Sequence, residues 1–171
     1  MPFLIEWVRD CDESTTDQLV TTPAGPILVS RCGDVICRTA WPTAEQIFTQ
    51  FDPGGGDDVI AGKIRIYGHD PCADIPVKLL RQGSPFQFRV WLELVKVPFG
   101  ATLTYKDLAS RVGSAARAVG GACRANPFPL IIPCHRVVST SGIGGYAGQT
   151  QGDLMSIKHK LLEYEKSGGQ P

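Results

Sequence analysis

The sequence contains no stretch that approaches the roughly 20 consecutive apolar residues of a membrane-spanning helix. Its first ten residues lack the basic segment of a secretion signal, and Glu6 interrupts their apolar run. Internal repeats and low-complexity tracts are absent as well. We therefore expect no membrane partner and a cytoplasmic location, or a nuclear one in a eukaryote. The 171 residues, 43% of them apolar, are enough for one ordinary domain or two small ones.

The six cysteines include no Cys-x-x-Cys pair. Scattered cysteines without a secretion signal do not predict a disulfide framework. Cys11, Cys32 and Cys72 could surround a zinc ion together with His69, but their spacing follows no compact ligand pattern. We expect ordinary thiols and no metal here, and the sequence leaves a zinc site or a disulfide in this half as open alternatives.

The net charge is zero because two opposite imbalances cancel. Residues 1–80 carry 12 acidic and 6 basic side chains, whereas residues 81–136 carry 2 acidic and 8 basic ones. A basic segment of this kind favours a polyanionic partner such as DNA. Solvated faces of helices would give the same imbalance, so charge alone leaves both interpretations open.

The first part of the chain has the pattern of an α+β unit. Segments rich in β-branched residues and bounded by glycine turns predict strands at 19–22, 26–30 and 35–41. A short helix is predicted at 43–48. The Asp- and Gly-rich run 52–58 breaks any periodicity and is predicted to be an exposed loop. No pattern with evident chemistry occurs in this part.

A domain boundary is predicted between residues 82 and 83, which gives domains at 1–82 and 83–171. Beyond it, Ser84 and Pro85 form a helix start, with Ser84 as the N-cap. The helical spacing of the following apolar residues predicts one buried stripe. That stripe consists of Phe88, Trp91, Leu92 and Val95.

Two short helices come next, and they favour a helix-turn-helix. Thr104 is predicted to cap a helix over 105–112, and Ser114 to cap another over 115–125. The second helix contains Gly120 and Gly121, each of which costs about 1 kcal/mol relative to alanine. Such small residues permit close approach either to another helix or to the minor groove of DNA, and the sequence leaves both open.

Cys134 follows Pro133 at the end of an apolar segment, 130–132, which is predicted to be a buried strand that resumes at 137–138. Neighbouring His and Arg side chains can lower the pKa of a thiol and so favour the nucleophilic thiolate. Adjacent residues of a strand point to opposite sides, so a hydrogen bond between Cys134 and His135 is as readily water-mediated as direct. A final helix is predicted from about Leu154 through Tyr164, ending before Gly168.

Taken together, these features resemble the O6-alkylguanine-DNA alkyltransferases, also called methylated-DNA–protein-cysteine methyltransferases. The resemblance covers about residues 84–166. The segments that carry it are Tyr105, Arg117–Gly121, Arg124, Asn126-Pro127, Pro129, Ile132–Val138 and Gly145–Gly148. It implies an α+β fold, with a small antiparallel sheet and a helix of ribonuclease H-like outline followed by a mostly helical, winged-helix-like domain. Two departures are that Gly148 precedes Gln149 rather than a second glycine, and that the link 149–156 is longer than usual.

The resemblance implies a role for each residue of the reaction. Cys134 would accept the alkyl group, and His135 would deprotonate it through a water molecule. Glu165 would orient His135, and Tyr105 would protonate N3 of the departing guanine. Arg117 would enter the duplex and fill the space of the flipped nucleotide.

The remaining assignments concern DNA and the base pocket. Contacts with DNA are implied for Arg117, Ala118, Gly121, Arg124 and Arg136. The pocket would be formed by Asn126, Pro129, Val137, Tyr146, Ala147 and Gly148. The partner would be double-stranded DNA containing O6-alkylguanine, bound through its minor groove by a monomer. The displacement needs no cofactor and leaves a thioether with no route back, so each molecule would react once.

Two other functions are compatible with part of the pattern. A binding-only relative would recognise alkylated guanine without repairing it, but such proteins have tryptophan at the position of Cys134. A cysteine hydrolase using Cys134 and His135 would need an oxyanion hole and a third orienting group. A hydrolase also gives no reason for Arg117 on a glycine-rich helix.

Overall fold

The computed structural model describes residues 3–50, 59–70 and 73–169. Its fold is α+β, as expected, with a five-stranded sheet, a two-stranded sheet and helices. The loop predicted at 52–58 and Cys72 lie outside the described residues. None of the helices in the described ranges is long and apolar enough to cross a membrane.

The large sheet has the strand order β1-β5-β4-β3-β2. Its strands are β1 (Phe3–Val8), β2 (Thr15–Thr22), β3 (Gly25–Cys32), β4 (Val35–Ala40) and β5 (Ile75–Leu80). The prediction of an antiparallel sheet is right for β2, β3 and β4 but wrong for β5, which pairs in parallel with β4 and with β1. The reason is that the chain between β4 and β5 crosses over through helices, which returns β5 in the direction of β4.

The described residues of that crossover form two helices, α1 (Ala44–Gln50) and α2 (Val59–Tyr67). The three predicted strands and α1 are confirmed, whereas β1, β5 and α2 were not predicted. In α2, Ile60, Ile64 and Tyr67 are buried at helical spacing, and the helix packs on β2 and β5. This packing places the end of α2, and with it Tyr67, in the interior.

Cys11 and Cys32 form a disulfide that joins the segment before β2 to the end of β3. The expectation of ordinary thiols is therefore wrong for this pair, and neither sulfur is available to zinc. The hairpin of β2 and β3 brings the two residues together, because Cys32 lies opposite Thr15 at the start of β2. Among the described residues, no group of three or more His, Cys, Asp or Glu side chains could hold a metal ion.

The C-terminal part is mostly helical. Its elements are α3 (Pro85–Leu94), β6 (Leu103–Thr104), α4 (Tyr105–Arg111), α5 (Ala116–Arg124), a 3-10 turn (Cys134–Arg136), β7 (Val137–Val138) and α6 (Asp153–Lys166). The start of α3 is confirmed: the side chain of Ser84 accepts a hydrogen bond from the backbone of Gln87, whose side chain accepts one from the backbone of Ser84.

The buried face of α3 differs from the predicted stripe. Val90, Trp91 and Leu94 are buried, whereas Phe88 and Leu92 are only partly covered. The face is rotated because α3 packs against α5, where the Trp91 indole donates a hydrogen bond to the carbonyl of Ala122 at 2.9 Å. This contact fixes α5 to the core.

The helix-turn-helix is confirmed in its first half and corrected at its second helix. Thr104 caps α4 by accepting a hydrogen bond from the backbone of Asp107. The N-cap of α5 is Ala115, without a side-chain hydrogen bond, rather than Ser114. The backbone of Ser114 instead donates to the carbonyl of Ala109, which closes the end of α4. The turn needs Gly113, whose φ is 63°.

Candidate active site

Cys134 begins a 3-10 turn rather than ending a strand. The predicted strand 130–132 is wrong: these residues form a turn in which Leu130 has a φ of 78° and the backbone of Ile132 donates to the carbonyl of Phe128. Prolines before and after this segment prevent regular pairing, and only 137–138 forms a strand, parallel to β6. The turn sends Cys134 and His135 in different directions, so that Cys134 lines a cavity and His135 faces α6.

In the part of the chain that the structure describes, two side chains donate hydrogen bonds to the sulfur of Cys134. Asn126 Nδ2 lies 3.2 Å from Sγ, and Asn126 also bonds the carbonyl of Ile132 and the backbone of Phe128. The second donor is Tyr146, whose hydroxyl accepts from the Trp41 indole at 2.9 Å. Burial raises the pKa of Cys134, and these two hydrogen bonds act in the opposite direction. The site therefore partly offsets the cost of a buried thiolate.

Lys158 of α6 supplies a buried positive charge near this thiol. Its ammonium group donates to the carbonyls of Val137, Ile143 and Gly145 at 2.6, 2.7 and 2.9 Å. Burial lowers the pKa of Lys158 to about 8, and its charge lowers the pKa of Cys134. Lys158 was not predicted from the sequence, although its position between Leu154 and Leu161 on the apolar face of a helix is unusual for a lysine.

Glu165 and His135 form a buried pair behind the cysteine. His135 Nε2 lies 2.8 Å from Glu165 Oε1, as predicted from the resemblance. Burial would raise the pKa of Glu165, but hydrogen bonds from His135 and Arg136 hold it well below its ordinary value. Burial lowers the pKa of His135 below 6.5, with Glu165 opposing the shift, so the ring is neutral near pH 7. Its Nδ1 is buried and has no hydrogen-bond partner among the described residues.

Arg136 was predicted to contact DNA, and the structure contradicts this. The side chain is 2% exposed. Its Nε and Nη2 donate to the two oxygens of Glu165 at 2.8 Å, and Nη1 donates to the carbonyl of Val97 at 2.7 Å. The guanidinium thus neutralises the buried carboxylate of Glu165. The DNA contact was predicted wrongly because the two residues are distant in the sequence and only the fold brings them together.

A cavity of about 320 Å³ lies over Cys134. Its walls come from the first helix of the helix-turn-helix, from α5 and from the glycine-rich loop before α6. The lining residues that were predicted are Tyr105, Gly121, Arg124, Cys134, Tyr146, Ala147 and Gly148. Asn126 and Pro129 line a second cavity of about 470 Å³, which Cys134 also borders. Val137 was predicted to line the pocket but is fully buried and borders neither cavity.

Tyr105 holds one wall of the smaller cavity. Its hydroxyl donates to the carbonyl of Gly145 at 3.1 Å. Burial raises the pKa of Tyr105 to about 12, so the phenol keeps its proton at physiological pH. The same carbonyl accepts a hydrogen bond from Lys158, and the loop is therefore anchored from α4 and from α6.

The opposite wall is a tight turn over 146–149. The backbones of Tyr146 and Gln149 exchange two hydrogen bonds of 2.8 Å, and both Ala147 and Gly148 have positive φ, as in a type I′ hairpin turn. A Cβ on Gly148 would lie 2.6 Å from Nε of Arg124. Glycine here lets the turn pack against the arginine side chain at the mouth of the cavity.

The outer face of α5, beside this mouth, combines two small residues with two arginines. Arg117, Ala118, Gly121 and Arg124 are exposed, while the buried face includes Val119. A Cβ on Gly121 would meet nothing within 4 Å. Helix–helix packing, one of the two explanations left open by the sequence, therefore does not account for Gly121.

Comparison with known proteins identifies the family. Residues 85–167 match the family model described as the DNA-binding domain of 6-O-methylguanine DNA methyltransferase. The methylated-DNA–protein-cysteine methyltransferase of Mycobacterium tuberculosis is 36% identical over 155 residues, which cover 86% of this chain and 90% of that protein. The chain belongs to the methylated-DNA–protein-cysteine methyltransferase family. The protein of that name from Metallosphaera sedula is 47% identical over 94 residues, 55% of this chain and 56% of the relative, so the chain spans about half of that relative.

Solved structures of this methyltransferase family have the same fold. The crystal structure of the M. tuberculosis O6-methylguanine methyltransferase superimposes with a TM-score of 0.72 at 31% identity, over 92% of this chain and 96% of that one. A crystal structure of the M. tuberculosis protein in complex with DNA gives 0.71 at 34% identity, over 88% and 92% of the two chains. The methyltransferase from Pyrococcus kodakaraensis, at 23% identity and 0.54, shows likeness in fold.

The site also contains residues that were not predicted from the sequence. Cys123 is a second buried thiol that borders both cavities beside Cys134, and burial raises its pKa far above the ordinary value. Trp41 and Tyr67 reach the site from the first half of the chain through hydrogen bonds to Tyr146 and Glu165. No local pattern could have revealed the last two, because their partners lie about 100 residues away along the chain.

Proposed function

We propose that this protein repairs O6-alkylguanine in double-stranded DNA by transferring the alkyl group irreversibly to its own Cys134. The observation that carries the proposal is the position of Cys134. Its thiol lies at the base of a 320 Å³ cavity that opens beside an exposed, small-residue helix with two arginines. A flipped base can enter such a cavity, whereas a base stacked in a duplex could not reach a buried thiol.

The reaction begins with removal of the thiol proton. His135 is the base, acting through a water molecule from its Nδ1 side, while Glu165 holds Nε2. Hydrogen bonds from Asn126 and Tyr146 stabilise the thiolate. The sulfur then attacks the alkyl carbon, a C–S bond forms, and the bond between that carbon and guanine O6 breaks.

The leaving guanine takes the electron pair of the broken bond. Tyr105 lies on the cavity wall with its proton retained, and its hydroxyl turns from the Gly145 carbonyl to donate a hydrogen bond or a proton to N3 as negative charge develops. The products are guanine and a thioether at Cys134. No later step restores the thiol, so each molecule reacts once and no cofactor takes part.

DNA is bound through its minor groove by α5. The small residues Ala118 and Gly121 allow the helix to approach the groove, and Arg124 flanks the cavity mouth. Arg117 lies on the same exposed face and fills the space left by the flipped nucleotide. Arg136 takes no part in this surface because it is buried against Glu165.

The proposed organisation has two domains, residues 1–82 and 83–171. The first has a ribonuclease H-like outline, and the second is winged-helix-like, with β6 and β7 beside the helix-turn-helix. The start of the family match at residue 85 supports this boundary. The protein is further proposed to act as a monomer, in the cytoplasm or, in a eukaryote, in the nucleus.

The test is the intact mass of the protein after incubation with a duplex carrying O6-methylguanine. We expect an increase by the mass of one methylene group in the wild type and none in Cys134→Ser. Cys123→Ser is the matched control, since it removes a buried thiol from the same cavity and should still gain the mass. An unchanged wild-type mass, with hydrolysis of a thioester substrate instead, would favour the cysteine hydrolase.

A further inference from the structure

Glu165 receives hydrogen bonds from both halves of the chain. Among the described residues, His135, Arg136 and the backbone of Gly100 are its donors from the second half. The donor from the first half is Tyr67, the last residue of α2, whose hydroxyl lies 2.7 Å from Oε1. Tyr67 and His135 therefore bind the same carboxylate oxygen.

Tyr67 is held firmly in this position. Its side chain is fully buried, and its backbone carbonyl accepts a hydrogen bond from the Tyr164 hydroxyl at 3.0 Å. Its ring packs against Phe3, Phe99 and Tyr164 with centroid distances of 5.8 to 5.9 Å. Burial, together with the Glu165 charge, raises the pKa of Tyr67 well above 10, so the hydroxyl stays protonated and can only donate to the carboxylate.

We infer that Tyr67 is a positioning residue for the methyltransferase reaction, through which the first half of the chain sets the orientation and basicity of the Glu165–His135 pair. The inference rests on the proposed function. The physical basis is that each donor to a carboxylate oxygen withdraws part of its negative charge and fixes the direction of its lone pairs. Tyr67 thereby limits how strongly Oε1 stabilises a proton on His135.

Removal of the Tyr67 hydroxyl has a defined consequence for pH dependence. Oε1 would lose a donor, the carboxylate would attract the His135 proton more strongly, and the pKa of His135 would rise. The other charged groups near His135 are Glu165 and Lys158 of α6 and Arg136 of the 3-10 turn, and Tyr164 faces Glu165. A Tyr67→Phe change leaves all of them in place. The acidic limb of the pH–rate profile should therefore move to higher pH.

The experiment measures the second-order rate constant for methyl transfer from an O6-methylguanine duplex, from acid to alkaline pH. For Tyr67→Phe we expect the midpoint of the acidic limb to move to higher pH by about half a pH unit. This is part of the roughly one unit by which a hydrogen bond to a carboxylate changes a pKa. The rate on that limb should fall about threefold, with an unchanged alkaline plateau. Tyr164→Phe is the comparison variant, because it removes a hydroxyl from the same aromatic cluster, and with it the hydrogen bond to the Tyr67 carbonyl, but leaves the Tyr67 hydroxyl on Glu165. Its acidic limb should therefore move less than that of Tyr67→Phe.

Two results would overturn the inference: a Tyr67→Phe profile that coincides with the wild type, or an equal shift in Tyr164→Phe, which would indicate general loosening. If Tyr67→Phe does not fold, the test uses 3-fluorotyrosine incorporated at position 67 only. This change keeps the ring and makes the hydroxyl a stronger donor, so the acidic limb should move to lower pH. An acidic limb that does not move would again overturn the inference. The proposed function fails separately, if the wild type itself transfers no methyl group.

Discussion

At the scale of single residues, the site has to keep charged groups in a dry interior. Glu165 is almost fully buried and lies between a neutral histidine and a bidentate arginine. Arg136 balances the charge of Glu165. The hydrogen bond between His135 Nε2 and Glu165 keeps the proton of the neutral ring on Nε2. Arg136 therefore stabilises the buried pair, although it lines neither of the two cavities at Cys134.

Glu165→Gln should destabilise the fold at neutral pH by about 3–5 kcal/mol, because Arg136 is left as an uncompensated buried charge. The folded-state pKa of Glu165 lies below its ordinary 4.5, so its contribution is fully present above that pH and is lost as the pH falls below it. Urea unfolding curves of the wild type and the variant should therefore converge in acid. Glu163→Gln, at an exposed position on the same helix, should change neither the free energy of unfolding nor its dependence on pH. A difference in stability between the wild type and Glu165→Gln that is the same at all pH values would contradict this account.

Lys158→Met tests the buried charge beside the thiol. The charge of Lys158 lowers the pKa of Cys134, so its removal should raise that pKa and slow methyl transfer at neutral pH. Transfer should slow about tenfold at neutral pH, with the difference narrowing as the pH is increased. The exposed Lys160→Met serves as the control on the same helix. A pH–rate profile of Lys158→Met identical to the wild type would show that the charge does not act on the thiol.

At the scale of elements, α5 combines a buried face that fixes it to α3 with an exposed face on which Ala118 and Gly121 lie between two arginines. A glycine inside a helix costs about 1 kcal/mol of stability relative to alanine. Gly121 meets nothing within 4 Å in the protein itself. Packing within the protein therefore does not explain the cost, whereas close approach to DNA, as in the proposed function, would explain it.

Gly121→Ala should make the protein more stable and worse at binding DNA. We expect a gain of about 0.5–1 kcal/mol in the free energy of unfolding. The affinity for a duplex should fall about tenfold, which corresponds to about 1.4 kcal/mol. Gly62→Ala in α2, which also has open space around its Cβ, should give the gain in stability without the loss of affinity. Unchanged DNA binding in Gly121→Ala would argue against close approach by α5.

Arg117→Ala separates the reaction at Cys134 from the handling of the duplex. Repair of O6-methylguanine in a duplex should slow by about tenfold or more, because unstacking a base costs a few kcal/mol that the arginine helps to offset. The reaction with free O6-benzylguanine, which needs no flipping, should be unaffected. The control is Arg65→Ala, which removes an equally exposed charge from α2. Equal losses on both substrates would contradict the role of Arg117.

At the scale of the whole molecule, the sequence predicted those features that depend on residues close together in the chain. The caps at Ser84 and Thr104 and the hairpin of β2 and β3 depend on residues a few positions apart, and they are confirmed. The parallel pairing of β5 depends on segments far apart in the chain, and no local pattern contains it. Charge counting could not show that Arg136 is buried, because its partner Glu165 is 29 residues away.

The same contrast applies to the candidate site. The residues from the second half were identified from the resemblance, and the structure brings Cys134, Tyr105, Tyr146 and the pair of His135 and Glu165 together. The residues that the first half of the chain contributes to the site could be identified only from the three-dimensional structure. Trp41 supports a donor to the thiol, and the disulfide of Cys11 with Cys32 was not predicted because the hairpin, not the spacing, brings the sulfurs together.

The central claim is that Cys134 accepts one alkyl group and never releases it. The most direct measurement titrates the protein with an increasing excess of labelled O6-methylguanine duplex, counts the methyl groups transferred per protein, and maps them by peptide mass spectrometry. We predict that transfer stops at one methyl group per protein molecule, all of it in the peptide that contains Cys134. Continued transfer beyond one equivalent, or label on Cys123 in its place, would contradict the account.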